Sequence, residues 1–236
     1  MHISVAVSKV GKWAVAESGD LLEMVERPRG GLSLVLVDGQ SSGSGARSVA
    51  VQVMRKVISE LAEGVRDGAA ARAANDMLYA QRSGKVSATL VILSVEQDSQ
   101  MLIITRCGNP AIFVRHPGDT ATSLDEEAAP LGFYRTTRPA VDHIVLEPGL
   151  LTVACTDGLM HAGSRSGDGL YVPDELESLW QVTPTAKAVA DGLLDRAMSL
   201  DNGRPADDTS IIVLHVQSGP PVGPRRMTVE MPVPDA

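Results

Sequence analysis

The sequence predicts an α+β fold, a sandwich of mostly antiparallel sheets with helices on the outside. Three observations support this prediction. Candidate strands come both before and after two blocks of helical periodicity, so the chain lacks the strict strand–helix alternation of a parallel sheet. Short polar segments such as residues 96–99 join neighbouring strands, as in antiparallel hairpins. No internal repeat of solenoid length is present.

The N-terminal segment is predicted to contain several strands. Residues 3–8 alternate apolar and polar side chains, and residues 13–16 can pair back across the turn at Val10-Gly11, which predicts an opening hairpin. Residues 21–26 predict a further strand. Residues 32–37 are almost all apolar, which is typical of a fully buried strand, and they end at Asp38-Gly39.

Three segments have helical periodicity. The clearest covers residues 44–63 and is followed by Gly64, a common stop signal. An alanine-rich helix is predicted over about residues 69–82, ending at Gly84. A third helix is predicted from Thr183 to about residue 200, with Thr183 as the N-cap and Pro184 in the first turn.

The remaining predicted strands cover residues 87–95, 101–106, 111–115, 141–146, 150–156 and 210–216. The strand over 150–156 leads into Asp157-Gly158, which repeats the arrangement at Asp38-Gly39. A proline-rich stretch follows Ser218. We therefore predict one domain over residues 1–218 and a C-terminal extension over residues 219–236.

Composition excludes several classes of protein. The 236 residues are 44% hydrophobic and 21% charged, as in an ordinary globular protein. The net charge of −8 argues against a nucleic-acid partner. Cys107 and Cys155 lack CxxC spacing, so they are expected to be buried free thiols of a reducing cytoplasm. No signal peptide and no run of about 18 apolar residues is present, which predicts a cytoplasmic protein without a membrane partner.

Two nucleotide-binding motifs are absent from the glycine-containing loop after Asp38. A P-loop requires Lys and then Ser or Thr after its last glycine, but Ala46 and Arg47 follow Gly45. A dinucleotide fingerprint requires a third glycine where Ser48 stands.

Acidic residues at the edges of apolar strands are the strongest chemical signal. Each of these residues alone is explained by a turn or a helix cap. If the sheets bring them together, the carboxylates would repel one another unless a cation neutralised them, and an all-oxygen set favours Mg²⁺ or Mn²⁺ over zinc. The five histidines are scattered without metal-ligand spacing and are expected at the surface or in turns. The acidic residues concerned are Asp20, Asp38, Asp157, Asp207 and Asp208.

The segments VDGQSSGSG, TDGL and DDTSIIVL, with ESGD upstream, resemble the metal-dependent serine/threonine protein phosphatases (the PPM, or type 2C, family). The closer resemblance is to the bacterial SpoIIE-like branch, and it covers about residues 3–217. It implies a four-layer α-β-β-α sandwich of two antiparallel sheets flanked by helices, in agreement with the prediction above.

The resemblance also implies roles for individual residues. Asp38 is expected to bridge two Mn²⁺ or Mg²⁺ ions, with the Gly39 carbonyl as a further ligand. Asp157 and Asp207 are expected to bind the second ion, and Asp20 to contribute directly or through a bound water. The three expected catalytic residues are therefore Asp38, Asp157 and Asp207. A water activated by two such ions attacks phosphorus in line, without a covalent intermediate.

The chain departs from the eukaryotic branch of the family at two positions, as the SpoIIE-like branch does. Gln40 replaces a histidine thought to protonate the leaving group, and no arginine stands near Val15 to bind phosphate. Asp208 occupies the family's Asn or Asp beside the ligand. The cationic candidates for phosphate binding are Lys12, Arg27, Arg29 and Arg106.

Three functions remain open from the sequence. The first is a two-metal phosphatase acting on phosphoserine or phosphothreonine, with a phosphorylated anti-sigma-factor antagonist as the expected substrate. The second is a non-catalytic binding module with the same fold, and the third is a phosphatase of small phosphate esters. In the SpoIIE-like branch the helices corresponding to residues 44–63 and 69–82 can switch metal binding, so a separate regulatory protein is a possible partner. The two predicted helices are explained equally well by a structural role, in which they cover the sheet and do nothing else.

Overall fold

Fifteen helices and strands make up the computed structural model, which describes residues 1–165, 167–219 and 223–230. The strands are β1 (His2–Val10), β2 (Asp20–Glu26), β3 (Leu32–Gly39), β4 (Ala88–Glu96), β5 (Met101–Cys107), β6 (Ala111–Arg115), β7 (Thr122–Ser123), β8 (Ala140–Val145), β9 (Leu151–Cys155) and β10 (Thr209–Gln217). The helices are α1 (Gly43–Ala62), α2 (Asp67–Arg82), α3 (Asp157–Met160), α4 (Val172–Val182) and α5 (Ala186–Leu200).

The strands form two five-stranded sheets in which every paired neighbour is antiparallel. One sheet has the order β1-β10-β9-β6-β7 and the other the order β2-β3-β4-β5-β8. Helices α1 and α2 cover the second sheet, and α4 and α5 cover the first. The predicted four-layer α-β-β-α sandwich is confirmed.

Strand β3 shows why the chain forms these layers. Successive side chains of a strand point to opposite faces. Val35 and Val37 pack into the cluster formed with α1 and α2, whereas Leu34 and Leu36 pack against the other sheet. Both faces are therefore buried, which explains the almost continuous apolar pattern. Each such side chain contributes about 1.5–3 kcal/mol of burial free energy.

The predicted opening hairpin is wrong. Strand β1 pairs along its whole length with β10, from His2 opposite Gln217 to Val10 opposite Thr209, and residues 13–16 are not a strand. The segment after β1 is tied to the distant end of the chain instead, because the backbone N–H of Trp13 donates to the Pro205 carbonyl oxygen. The sequence spacing permitted a local hairpin, but the distant strand β10 provides a longer partner that is buried at every position except Gln217.

One predicted helix cap is wrong, and one helix was not predicted. The cap of α5 is Thr185, whose hydroxyl accepts the N–H of Ala188, and not Thr183, which follows the end of α4. Helix α4 was missed, although its sequence carries start signals: Pro173 lies at the first turn and two acidic residues follow it.

His215 contradicts the prediction that the histidines lie at the surface or in turns. It is 8% exposed within β10, and its ring packs edge-on against Trp180 at 4.7 Å between centroids. Burial lowers its pKa. Cys107 and Cys155 are buried free thiols, as predicted, and burial raises the pKa of each to about 12.

The predicted extension over 219–236 lies partly outside the described residues, at 220–222 and 231–236. In its described part, Arg225 donates to a carboxylate oxygen of Glu26 at 2.8 Å, and Glu230 lies 3.5 Å from the Lys187 ammonium. None of the helices among the described residues combines the length and apolar character that a membrane crossing requires.

Candidate functional site

A cleft of about 550 Å³ opens at the end of the sandwich where β2 begins, β3 and β9 end, and β10 begins. All five acidic residues that the sequence predicted line this cleft, together with Gly39. They come from four separate segments, and the two sheets supply two segments each. The structure thus brings the predicted set together at one place. The acidic residues are Asp20, Asp38, Asp157, Asp207 and Asp208.

Asp20 and Asp38 are register partners on adjacent antiparallel strands, so they stand directly opposite each other. Burial raises the pKa of Asp38 to about 8, with further contributions from the negative charges of the other four carboxylates. Like charges this close disfavour ionisation of one another. A cation in the cleft would remove that cost.

Asp20 is 1% exposed and tightly held. Its Oδ2 atom accepts hydrogen bonds from the hydroxyls of Thr156 at 2.9 Å and Ser210 at 2.7 Å. Burial raises its pKa to about 6, while the two hydroxyl donors oppose that rise. These two hydroxyl partners could not be predicted from the sequence, because they belong to segments of the other sheet.

Asp157 and Asp207 are the more accessible acids, with side chains 60% and 38% exposed. Asp157 begins the short helix α3 directly after β9, and burial followed by the charge of Asp207 raises its pKa. The next residue, Gly158, approaches the Asp208 carbonyl so closely that an added Cβ would lie 2.0 Å from that oxygen. This close contact fixes the start of α3 against the segment that carries Asp207.

Asp208 has a different environment from Asp207. It is 5% exposed, and its oxygens accept the backbone N–H groups of Lys12 at 2.9 Å and Gly19 at 2.8 Å. Both oxygens are therefore engaged by the loop between β1 and β2. We conclude that Asp208 anchors the loop that leads into Asp20.

The four cationic candidates for phosphate binding lie in different parts of the structure. Lys12 lines the cleft, with its Nζ atom 3.4 Å from Asp207 Oδ1. Arg27 pairs with the buried Asp67, and Arg106 is 2% exposed and pairs with Asp142. Arg29 lies in the turn between β2 and β3, at the end of β3 opposite to Asp38. Lys12 is the candidate that the cleft contains.

Several polar residues of the cleft were missed by the sequence analysis. Gln40, noted only as a departure, accepts the N–H of Ser87 at 3.0 Å and its hydroxyl at 3.2 Å. Asn109 follows β5 and Gly108, which has φ +76°. The sequence CGNP after an apolar strand, similar in form to VDGQ, is the signal that could have identified this loop. Ser41, Ser42 and Thr89 also line the cleft.

The donor set fits a pair of hard divalent cations. Carboxylate oxygens, a backbone carbonyl and hydroxyl-bearing neighbours are ligands that Mg²⁺ and Mn²⁺ prefer. Among the described residues, no three His, Cys, Asp or Glu side chains already stand close enough together to hold one ion. An ion would therefore need these carboxylate side chains to move closer together, and Asp157 and Asp207 are the more exposed of them.

Comparison with known families and structures gives a consistent result. The family model described as Stage II sporulation protein E (SpoIIE) matches residues 28–217. A solved structure of the PP2C phosphatase domain of SpoIIE from Bacillus subtilis, with a fragment of its regulatory domain, has a TM-score of 0.79 at 19% identity. That match covers 92% of this chain but 64% of the other, so this chain spans less than two thirds of the SpoIIE fragment.

Two further structures have the same fold. RsbX in complex with magnesium gives a TM-score of 0.70 at 17% identity, over 92% of this chain and 96% of RsbX. The catalytic domain of the serine threonine protein phosphatase PstP, in complex with two manganese ions, gives 0.69 at 17% identity, over 92% and 99%. No curated protein sequence matches the chain. The predicted family resemblance is confirmed.

Proposed function

This chain belongs to the SpoIIE family, and from that premise we propose that it is a metal-dependent phosphoprotein phosphatase acting on phosphoserine or phosphothreonine. The observation that carries the proposal is the convergence of Asp20, Asp38, Asp157 and Asp207 on one cleft. The raised pKa of Asp38, to about 8, supports it because an uncompensated carboxylate cluster favours a cation.

We propose that Asp38, Asp157 and Asp207, with the Gly39 carbonyl, hold two Mn²⁺ or Mg²⁺ ions. Asp20 is deeper and already accepts two hydroxyl hydrogen bonds, so it acts directly through its second oxygen or through a bound water. Two such ions, when bound, lower the pKa of water and offset negative charge on phosphoryl oxygens.

The chain's own residues would position the phosphorylated side chain. The Lys12 ammonium projects into the cleft beside Asp207 and can donate hydrogen bonds to a phosphoryl oxygen. Gln40 is held by Ser87 and has no acidic proton, so it orients the substrate rather than acting as a general acid. The leaving-group proton then has to come from water.

For the substrate, we propose a phosphorylated protein of the anti-sigma-factor-antagonist type, in keeping with the branch to which the sequence is most similar. Regulation by a separate cytoplasmic protein acting on α1 and α2 is part of the same proposal. Val53 and Val57 are fully buried between α1 and the sheet that carries Asp38. If metal affinity is unchanged in Val53→Ala and Val57→Ala, α1 does not control the site.

The first test is hydrolysis of p-nitrophenyl phosphate with Mn²⁺ and with EDTA, beside calorimetric titration of Mn²⁺. Wild-type protein should show metal-dependent turnover and bind Mn²⁺, and Asp38→Asn should lose both. Asp98→Asn, in the exposed turn between β4 and β5, is the matched control and should keep both.

Two other outcomes of this test would each support one of the alternative functions. Folded wild-type protein that neither binds Mn²⁺ nor turns over any ester would support the non-catalytic binding module. Turnover of small esters but not of phosphopeptides would support a small-ester phosphatase.

A further inference from the structure

A second cavity, of about 270 Å³, shares no lining residue with the catalytic cleft and has no role in the function proposed above. It is formed by the end of α5, the turn after it and the loop after α3. Its lining residues are Arg165, Leu200, Asp201, Asn202 and Arg204.

The cavity presents two arginine side chains to solvent. Arg165 and Arg204 are both exposed, and within the described ranges neither forms an ion pair with an acidic residue. Arg165 donates one guanidinium N–H to the Ala206 carbonyl oxygen at 3.5 Å. Among the described residues this is the hydrogen bond found for Arg165, so most of its five N–H donors are available to a ligand.

The one carboxylate in the cavity wall is already engaged by the backbone. Asp201 Oδ1 accepts the N–H of Gly163 at 2.9 Å, and Oδ2 accepts the N–H of Ala206 at 2.8 Å. Its role is therefore to tie the loop after α3 to the segment that precedes β10. The two guanidinium groups outnumber this carboxylate, so the cavity has a positive balance in a chain whose net charge is −8.

Arg204 is held in position by an aromatic ring. Its guanidinium carbon lies 5.5 Å from the centroid of the Trp13 ring, within the range of a cation–π contact. Trp13 is 57% exposed, and its backbone N–H donates to the Pro205 carbonyl oxygen at 3.0 Å. Trp13 directly follows Lys12, which lines the catalytic cleft, so this contact connects the cavity to the cleft through two neighbouring residues.

The separation of the two sites suits one extended peptide. Arg204 precedes Asp207 by three residues, so their Cα atoms are at most about 11 Å apart at 3.8 Å per residue. An extended peptide covers about 3.3–3.6 Å per residue. A peptide whose phosphorylated residue is in the cleft therefore has the length needed to reach the segment that carries Arg204 with a side chain about two to three residues away.

We propose that the cavity formed by Arg165 and Arg204 is a recognition subsite for an anionic side chain of the protein substrate, two or three residues from the phosphorylated residue. This inference rests on the proposed phosphatase function and specifies its substrate class. A carboxylate and a second phosphate group share the chemistry that a guanidinium recognises, because both accept paired hydrogen bonds.

The test uses a set of phosphoserine peptides in a neutral background, with Glu placed singly at each position from three before to three after the phosphoserine. A parallel set carries a second phosphoserine instead of Glu. We expect one or two positions two to three residues away to raise kcat/KM about 10-fold, through a lower KM. The stronger of the two sets identifies the natural anion.

Variants assign the preference to the cavity. In Arg165→Ala and Arg204→Ala the advantage of the anionic peptide should fall below about two-fold. Arg165→Glu should instead favour a peptide with Lys at that position. Arg196→Ala, another exposed arginine on α5 that pairs with Glu175, is the matched control and should retain the wild-type preference.

Peptide binding, measured by fluorescence anisotropy with labelled peptides, separates this inference from the proposed function. If no peptide is hydrolysed, the phosphatase proposal fails. The ratio of the Kd values for anionic and neutral peptides would still show whether the cavity binds an anionic side chain. Equal kcat/KM and equal Kd across the peptide set would overturn it, as would a preference that persists in both alanine variants.

Discussion

Asp208 and Gly19, far apart in the chain, are joined by a 2.8 Å hydrogen bond from the Gly19 N–H to Asp208 Oδ2. With the bond from the Lys12 N–H to Oδ1, it attaches the loop between β1 and β2 to the start of β10. The loop's last residues lead directly into Asp20. The position of one acid of the cleft therefore depends on a second acid, whose two oxygens accept backbone N–H groups.

This arrangement predicts that Asp208→Asn destabilises the protein. An amide side chain presents an NH₂ group to one of two buried N–H donors, which leaves a donor unsatisfied and costs about 1–3 kcal/mol. Urea denaturation should show this loss, and hydrogen exchange should show weaker protection of the Gly19 N–H. Asp207→Asn is the comparison: it should lose Mn²⁺ binding with a much smaller change in unfolding free energy, because Asp207 is 38% exposed. Equal destabilisation by the two substitutions would contradict the division of roles.

The pKa of Asp38, raised to about 8, predicts an unusual pH dependence of the metal-free protein. Because the folded state favours the protonated carboxyl, the contribution of Asp38 to stability is greatest near pH 4 and is lost as the pH rises through about 8. Asp38→Asn lacks this titration. In EDTA, the variant should have a higher Tm than wild type at pH 8, by several degrees, and the difference should shrink towards pH 5.

Asp98→Asn serves as the control for this comparison, because it removes an exposed carboxylate and should not change the pH profile. Added Mn²⁺ should raise the Tm of wild type most at high pH and leave Asp38→Asn unchanged. A metal-free wild type that gains stability over Asp38→Asn between pH 5 and 8 would refute the electrostatic account of the cleft.

The hydroxyl of Thr156 helps to hold Asp20, so we expect substitution of Thr156 to have a different effect from substitution of the nearby Thr152. Thr156→Val removes the hydroxyl that donates to Asp20 and accepts the N–H of Ser210. We expect a loss of about 1.5–3 kcal/mol in unfolding free energy and about a 10-fold weaker affinity for Mn²⁺. Calorimetric titration and urea denaturation measure the two quantities.

Thr152→Val is the matched control on β9. The Thr152 hydroxyl is buried and has no hydrogen-bond partner among the described residues. Its replacement by a methyl group of similar shape should be neutral or stabilising by up to about 1 kcal/mol, with Mn²⁺ affinity unchanged. Similar losses in the two variants would mean that the hydroxyl of Thr156 has no special role.

We expect Lys12→Met to strengthen the binding of Mn²⁺ and to weaken the binding of a phosphopeptide. The ammonium lies 3.4 Å from Asp207, so its removal should strengthen Mn²⁺ binding a few-fold. Loss of a charge-assisted donor to phosphate should raise KM for a phosphopeptide about 10-fold. Lys187→Met, on the exposed end of α5, should change neither value. If KM is unchanged in Lys12→Met, another group binds the phosphate.

Gly39 and Gly45 predict opposite effects of the same substitution. An added Cβ at Gly39 would lie 2.2 Å from the Ala46 carbonyl oxygen, within the backbone of α1. Gly39→Ala should therefore cost more than about 3 kcal/mol. Gly45 has nothing within 4 Å of its added Cβ and lies within α1, so Gly45→Ala should stabilise by about 0.5–1 kcal/mol. Thermal denaturation distinguishes the two, and a mild effect at Gly39 would show that α1 can move away from β3.

The sequence by itself determined most of the elements and the chemistry of the site. Strand β3 was predictable because burial on both faces requires an apolar residue at nearly every position, and α1 because its buried residues recur with helical period. The acids of the cleft were predictable as a set because each follows or precedes an apolar strand. Helix α4 has a comparable signal in Pro173 and in its amphipathic pattern.

Only the tertiary structure decided which segments meet. Strand pairing is non-local, so nothing near β1 indicated that it pairs with β10 rather than with residues 13–16. The same applies to the anchoring role of Asp208, to the hydroxyls on Asp20 and to the choice of Lys12 among four cations. A sequence states which groups are charged, but their distances, burial and remaining partners arise when separate segments pack together, and those quantities decide which charge can bind a ligand.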